Sequence, residues 1–249
     1  VRNYWLQEAF ATSIELFNAP DGLPIQELGQ RIQKRIDQEE ELTVDPSFFL
    51  ALQKHLPQIS QVQILLKQSQ FHNELTQFRY DVVLHVGSTP QSMLKTVWTD
   101  WHSPYVDLAN LRQQLTQSPT KVLGFRNIPN ARVSTFIKVA DLLKAPHPWE
   151  HVVDLKTHLL NDREAGGVDP EALRQLAHEL TLDVMISWPS IEDKGAFNAL
   201  FRPKSTAANA KPGNVESLPA FRQSAQPWSI YANNPHQPKI AQTLSTELR

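Results

Sequence analysis

The sequence predicts an α/β fold on three observations. Segments with apolar residues at helical spacing alternate with short apolar runs of strand length. The run Val82–Val86 is continuously apolar apart from one histidine, which indicates a strand covered on both faces. Near the end of the chain, Leu182–Trp188 and Ala196–Phe201 alternate in polarity and predict an antiparallel hairpin.

Amphipathic patterns with apolar residues at i, i+3, i+4 and i+7 predict the helices. Asp45 followed by Pro46, and Asp169 followed by Pro170, are typical of an N-cap with proline in the first turn. Asn18–Gly22 contains the turn residues that end the first helix. The predicted helices cover residues 4–17, 25–41, 45–55, 108–115, 133–143 and 169–180.

Short apolar runs between these helices predict the strands, at residues 62–67, 82–86, 121–127, 182–188 and 196–201. Ile128–Asn130 contains a proline and is expected to break the third of them. We expect the last two strands to form an antiparallel edge pair that closes an otherwise parallel sheet.

Composition excludes several classes of function. The net charge of −2 gives no electrostatic reason to expect a nucleic-acid or acidic-membrane partner. The absence of cysteine excludes disulfides, thiolate metal sites and a cysteine nucleophile, and fits a cytoplasmic location. The chain begins in an amphipathic pattern without an initiator methionine, as a fragment of a longer polypeptide would.

The stretch from Phe71 to Val86 places polar and ionisable side chains at the mouth of an apolar strand, where α/β proteins commonly hold their ligands. These side chains are His72, Asn73, Glu74, Arg79, Tyr80 and Asp81. A purely structural interpretation is also open. In it Arg79 and Asp81 form an ion pair, Glu74 caps a turn and Tyr80 packs.

This stretch resembles the acceptor-side signature NELxxYRYDVV of the methyltransferase domains that are embedded in nonribosomal peptide synthetases. The matching residues are Asn73, Glu74, Leu75, Arg79, Tyr80, Asp81, Val82 and Val83, and Phe78 stands where tyrosine is usual. Residues 1–3 (VRN), 40–49 (EEL with DPSFF) and 128–132 (IPNAR) resemble other segments of the same domains in the same order. The resemblance covers residues 1 to about 202.

The resemblance implies a domain organisation. Residues 1–202 would form the C-terminal part of a class I methyltransferase-like (Rossmann-type) sheet with helical insertions. Residues 203–227, rich in small and polar residues, are expected to be a linker. Residues 228–249 resemble the start of the return to the small subdomain of the adenylation domain.

The resemblance also implies a reaction, which is methyl transfer from S-adenosyl-L-methionine to the amine of an aminoacyl thioester. Glu74 would accept a hydrogen bond or the proton of the amine, and Tyr80 would orient the substrate. The implied substrate-binding residues are His72, Asn73, Arg79 and Asp81, and Arg79 is also expected to pair with Asp81 or Glu74. The implied partners are the N-terminal half of the methyltransferase domain, the adenylation domain and a peptidyl carrier protein with a phosphopantetheine arm.

Glycine content argues against a complete cofactor site. The chain has 8 glycines, and none are spaced as the G-x-G turn through which a backbone approaches the cofactor. Gly166–Gly167 lies between helical patterns and is interpreted as a turn. We therefore expect the chain alone to bind S-adenosylmethionine poorly and to transfer no methyl group.

Other interpretations remain open. The chain is alternatively a non-catalytic scaffold within a synthetase, whereas a hydrolase is disfavoured because no serine lies in a G-x-S-x-G turn. His147, His151 and His158 suggest a zinc site, but the H-E-x-x-H pattern is missing. Trp98 and Trp101 fit either a ligand wall or core packing. Asn130 and Arg132 fit a strand-end turn about as well as a site.

Overall fold

A computed structural model describes residues 1–87, 96–101, 107–161, 166–188, 195–204 and 227–236. The helices are α1 (Gln7–Asn18), α2 (Ile25–Asp37), α3 (Ser47–His55), α4 (Glu74–Phe78), α5 (Leu108–Gln117), α6 (Ser134–Lys144), α7 (Val152–Asn161) and α8 (Pro170–Glu179). The strands are β1 (Arg2–Asn3), β2 (Thr43–Val44), β3 (Ile59–Leu66), β4 (Tyr80–Val86), β5 (Val97–Asp100), β6 (Leu123–Pro129), β7 (Leu182–Ser187) and β8 (Ala196–Pro203).

The α/β class is confirmed. Six strands form a mixed sheet in the order β4-β3-β7-β8-β6-β5, and β1 and β2 form a separate parallel pair. Within the six-stranded sheet β5 and β6 run parallel, and the other neighbours run antiparallel. This arrangement of sheet and helices is consistent with a Rossmann-like fold.

The predicted hairpin is confirmed, but its expected position was wrong. β7 and β8 pair antiparallel from Leu182↔Pro203 to Ser187↔Asn198. They lie in the middle of the sheet, between β3 and β6, and the described sheet is mostly antiparallel. The reason is that β3 and β4 form a second hairpin, which joins β7 through the single pair Leu65↔Ser187.

The prediction that residues 82–86 are covered on both faces was also wrong. β4 is an edge strand of the described sheet, and Val83, Leu84 and Val86 are 38%, 39% and 64% exposed. The apolar side chains of β4 therefore lie at an exposed edge of the sheet. The described part of the chain covers this edge only near Tyr80. There the Tyr80 amide donates to the Val1 carbonyl over 2.9 Å.

Helix boundaries follow the capping signals closely. The Asp45 side chain accepts the Ser47 amide at 2.7 Å just ahead of α3, but the N-cap position is Pro46, one residue after the predicted cap. Asp169 caps α8 by accepting the Glu171 amide at 2.9 Å. α2 ends at Asp37, four residues before the predicted end.

Two further differences concern local structure. β6 continues through Ile128 and Pro129 instead of breaking there, because Asn127 takes a positive φ of 59° and forms an irregularity in the ladder to β8. The helix α7, which follows His151, was not predicted. It buries Val152 and Leu155, whose spacing of three residues is too short a pattern to identify a helix.

The core has two parts. The larger one packs β-sheet residues such as Phe125, Phe197 and Phe201 against α1, α5 and α8. The smaller one joins α1, α2, α6 and α7 around Leu28 and Leu155. None of the helices in the described part of the chain combines the length and apolar content needed to cross a membrane. The predicted linker lies outside the described residues except at its two ends, and the proposed domain boundaries stay predictions.

Candidate active site

The motif singled out in the sequence folds as a short helix followed by an edge strand. Asn73 is the N-cap of α4, and its side-chain oxygen accepts the amides of Leu75 at 2.9 Å and Thr76 at 3.2 Å. The Thr76 hydroxyl accepts the Asn73 amide at 3.1 Å, which completes a capping box. The cap is therefore Asn73 and not Glu74, which occupies the first helical position.

Glu74 and Arg79 form the centre of a charged cluster. The Arg79 guanidinium contacts Glu74 Oε1 at 2.7 Å and Glu41 Oε1 at 2.8 Å. The hydrogen bond to Glu74 raises the pKa of Arg79, and Glu41 adds to the effect. The predicted pairing of Arg79 with Glu74 is confirmed, whereas the alternative partner Asp81 pairs elsewhere.

Arg2 and Glu39 extend this cluster towards the interior. Arg2 Nη2 lies 2.5 Å from Glu39 and 3.6 Å from Glu41, and its side chain is only 4% exposed. Its guanidinium carbon also lies 4.4 Å from the centroid of the Phe10 ring. Glu41 thus bridges a buried arginine and the half-buried Arg79.

Tyr80 is completely buried. Its hydroxyl donates to the Val44 carbonyl at 2.8 Å, and its ring makes an edge contact with Phe49. Burial raises the pKa of Tyr80 well above its ordinary value, and the nearby Asp45 carboxylate acts in the same direction. The hydroxyl is therefore neutral at physiological pH and is bound to the backbone of β2.

Asp81 and His72 lie outside this cluster. Asp81 pairs with Lys67 across the β3–β4 hairpin. His72 Nε2 lies 2.7 Å from Asp169, the N-cap of α8. Burial alone would raise the pKa of Asp169, but the Glu171 amide, His72 and Arg132 together lower it. The structure therefore brings Glu74, Arg79 and Tyr80 to the Glu41–Val44 segment and places Asp81 and His72 elsewhere.

Comparison with known proteins shows strong similarity to large peptide-assembling enzymes. The chain is 33% identical over 254 residues to chondramide synthase of Chondromyces crocatus, covering 100% of this chain and 6% of the relative. It is 35% identical over 223 residues to the nonribosomal peptide synthetase penN of Penicillium thymicola, and 29% identical over 227 residues to cyclosporin synthetase of Tolypocladium inflatum. Those two matches cover 81% and 86% of this chain and 8% and 2% of the relatives.

The chain is homologous to a segment of nonribosomal peptide synthetases. The homologous synthetases match up to the whole chain at 25–35% identity. No protein-family model matches the chain. The chain spans less than a tenth of the length of each of these three synthetases. The activity of a whole synthetase is therefore not attributed to it.

Two glycines of the chain bear on the predicted cofactor site. A Cβ at Gly167 would meet the Ala131 amide at 2.5 Å and the Pro129 carbonyl at 2.7 Å, and a Cβ at Gly124 would meet the Trp98 ring at 2.6 Å. These close approaches are to the chain's own atoms. Gly124 and Gly167 are therefore occupied by contacts within the chain and do not serve as a glycine turn that approaches S-adenosylmethionine.

The tryptophans and histidines considered as alternative sites make packing contacts within the chain. Trp98 lies over Gly124, and Trp101 packs against the larger core, which favours packing over a ligand wall. His147 stacks on Trp149 with ring centroids 5.3 Å apart, and His158 contacts the same indole at 5.0 Å. No group of three potential metal ligands is found among the residues that the structure describes.

A cleft of about 200 Å³ lies between β3, β7, β8 and α8, and its lining includes neither Glu74 nor Arg79 nor Tyr80. Gln63, Arg174, Asp183 and Arg202 are among its lining residues. Its two cations already face carboxylates, since Arg174 lies 3.5 Å from Glu171 and Arg202 lies 3.6 Å from Asp183. Glu74 therefore remains the candidate site in preference to this cleft.

Sequence reasoning missed the two groups that hold the motif in place. Glu41 was predicted only as the end of the second helix, although the EEL segment that resembles the synthetase family contains it. Arg132 was ranked low, yet its side chain is 0% exposed and donates to the carbonyls of Lys67 at 3.0 Å and Ser69 at 2.7 Å. The quoted IPNAR similarity was the available signal for Arg132.

Proposed function

We propose that this chain is the substrate-side part of an S-adenosylmethionine-dependent methyltransferase within a nonribosomal peptide synthetase. The methyl acceptor is the amine of an aminoacyl group held as a thioester on the phosphopantetheine arm of a peptidyl carrier protein. The Glu74–Arg79–Glu41 cluster carries this proposal, because it presents a fixed carboxylate at the residues that resemble the methyltransferase signature. Homology to synthetases supplies the setting.

The acceptor chemistry requires a neutral amine in a fixed orientation. Glu74 is 44% exposed at the start of α4, and both of its contacts to Arg79 use Oε1. We assign Oε2 to accept a hydrogen bond from the acceptor amine and to take the proton that this nitrogen loses after methylation. S-adenosylmethionine supplies the methyl group when it is bound, and the chain's own residues handle the acceptor.

Tyr80 remains a predicted catalytic residue whose hydroxyl is bound to Val44 in this structure. Asn73, His72 and Asp81 remain predicted substrate-binding residues. Each has a defined structural contact, namely the α4 cap, Asp169 and Lys67. Among the predicted residues Glu74 therefore has the strongest geometric support, since its partner Arg79 is itself held by Glu41.

The donor site is assigned to the polypeptide that precedes this segment in the longer synthetase. Val1 supports this assignment because its backbone exchanges two hydrogen bonds with Tyr80, of 2.9 and 3.1 Å, on the open side of β4. An antiparallel strand continuing from Val1 would run along the free edge of β4 and cover the exposed Val83, Leu84 and Val86. The N-terminal half of the domain is thus the proposed partner.

The remaining expectations form part of the same proposal. The adenylation domain and the carrier protein are the other proposed partners, residues 203–227 are the proposed linker, and residues 228–249 begin the return to the adenylation domain. A cytoplasmic location is proposed because the chain lacks cysteine.

The decisive experiment is methyl transfer by the longer synthetase segment that contains this chain, with an aminoacyl-loaded carrier as acceptor. Glu74→Gln is expected to lower kcat by roughly 10²- to 10⁴-fold, because the amide cannot take the proton. Tyr80→Phe is expected to lower it as well. Glu179→Gln is the matched control. Glu179 lies on α8, is exposed to a similar extent and pairs with Arg112 at 2.6 Å. Unchanged transfer by both Glu74→Gln and Tyr80→Phe would remove these residues from the mechanism.

A second experiment tests the missing donor site. Calorimetric titration of this chain with S-adenosylmethionine is expected to show no saturable binding in the micromolar range, and micromolar affinity would contradict the proposal. Absence of methyl transfer by the longer segment, with its fold intact, would favour the scaffold alternative instead.

A further inference from the structure

The segment Pro227–His236 packs back onto the region that holds the motif. Tyr231 is only 3% exposed, and its ring contacts Phe48 of α3 with centroids 6.2 Å apart. Trp228 contacts Phe48 at 5.5 Å and His55 at 4.9 Å. Although the residues between 204 and 227 are outside the described ranges, this segment is an integral part of the folded unit.

Backbone bonds attach this segment to β2 and its flanks. The Asp45 amide donates to the Tyr231 carbonyl at 2.7 Å, and Val44 forms an antiparallel bridge with Ala232. Asn233 uses both ends of its side-chain amide. Its oxygen accepts the Thr43 amide at 2.8 Å, and its nitrogen donates to the Glu41 carbonyl at 2.9 Å.

Other atoms of the same Glu41–Asp45 segment contact the candidate site. The Glu41 carboxylate binds Arg79, which binds Glu74, and the Val44 carbonyl accepts the Tyr80 hydroxyl. This five-residue segment therefore lies between the motif and the C-terminal segment. Any displacement of its backbone moves the anchor of Arg79 and the acceptor of Tyr80 together.

We propose that Asn233 and Glu41 are positioning residues for Glu74. Through them and Arg79, the Pro227–His236 segment fixes the position of the Glu74 carboxylate. This inference rests on the proposed function. Asn233 fixes the backbone of Glu41, Glu41 provides the second anchor of Arg79, and Arg79 holds Glu74 Oε1. Without Asn233, Arg79 keeps one fixed partner instead of two, and small misplacements of a reacting group reduce rates strongly.

The first test is hydrogen exchange on this chain, which needs no activity. Asn233→Ala is expected to speed exchange of the Thr43 amide at least about tenfold, because its acceptor is lost. Asn233→Asp keeps that acceptor and is expected to retain the protection. Asn234→Ala is the matched control, since Asn234 is the neighbouring asparagine and its side chain accepts the local His236 amide at 3.1 Å. Unchanged Thr43 protection in Asn233→Ala would overturn the proposal.

The second test is a double-mutant cycle in the longer synthetase segment. Asn233→Ala is expected to lower kcat by roughly 10- to 100-fold with the KM for the carrier substrate unchanged. In the Glu74→Gln background the same substitution is expected to change kcat less than about twofold, because its effect passes through Glu74.

A general loss of stability would instead reduce activity equally in both backgrounds, and that result would refute a positioning role. If Glu74→Gln itself leaves transfer unchanged, the proposed function fails. The hydrogen-exchange result would still decide whether Asn233 fixes the Glu41 segment, so the two failures are distinguishable.

Discussion

Replacing Arg132 with alanine should destabilise the chain by about 3–5 kcal/mol, because two backbone carbonyls lose their donor and the side chain leaves a buried cavity. The side chain is 0% exposed and joins three parts of the chain. It donates to the carbonyls of Lys67 at 3.0 Å and Ser69 at 2.7 Å, just before the motif, and to the Asp169 carboxylate at 3.2 Å.

The magnitude follows from these contacts. Each carbonyl left without a donor costs about 1–3 kcal/mol if water cannot replace the bond. Asp169 is 30% exposed, so water can replace its lost partner and the ion pair contributes less. The cavity left by the largest of the fully buried side chains adds to the cost.

Urea unfolding of Arg132→Ala, followed by circular dichroism, measures this change in the free energy of unfolding. Arg112→Ala is the matched control. Arg112 also pairs with a carboxylate, at 2.6 Å from Glu179, but the two side chains are 54% and 41% exposed, so its loss should cost less than about 1 kcal/mol. If Arg132→Ala lowers the free energy of unfolding by less than about 1 kcal/mol, as the control does, the buried Arg132 side chain does not stabilise the contact between these three parts of the chain.

Three further predictions test local features. Asn73→Ala should cost about 1 kcal/mol in urea unfolding because it removes the α4 cap, and an unchanged midpoint would contradict the capping role. Gly124→Ala should cost about 1–3 kcal/mol and shift tryptophan fluorescence because its Cβ would meet Trp98 at 2.6 Å, whereas the open Gly29→Ala should not. The lowered pKa of Asp169 adds stability that is present above its unfolded value of 3.8 and is lost as pH falls through the folded value. Asp169→Asn should therefore be less stable at pH 7 and less sensitive to pH below 3.8.

The sequence predicted features that depend on neighbouring residues. The cap at Asp169, the amphipathic helices and the β7–β8 hairpin are each specified within a few residues, and the structure confirms them. Partner choice was harder to predict. Arg79 binds Glu41 across 38 positions of sequence, and no local rule distinguishes that carboxylate from Asp81, two residues away.

Strand order was unpredictable for the same reason. β3 and β4 pair across a chain reversal that contains the motif, and this hairpin displaces the β7–β8 pair from the edge of the sheet. The apolar pattern of residues 82–86 could not distinguish a strand covered on both faces from the edge strand that the described sheet contains.

In the proposed function Glu74 meets an amine acceptor, and the charges around it suit that role. Two guanidinium groups, Arg2 and Arg79, face three carboxylates, Glu39, Glu41 and Glu74, which leaves one negative charge in the cluster. Methylation of an amine first produces a cation at nitrogen, and a preorganised negative charge stabilises that cation until the proton is removed. The buried pair of Arg2 and Glu39 cannot serve this purpose, because their charges compensate each other at 2.5 Å. Glu74 is the most exposed carboxylate of the three, so the uncompensated charge of the cluster is most accessible to an acceptor at the start of α4.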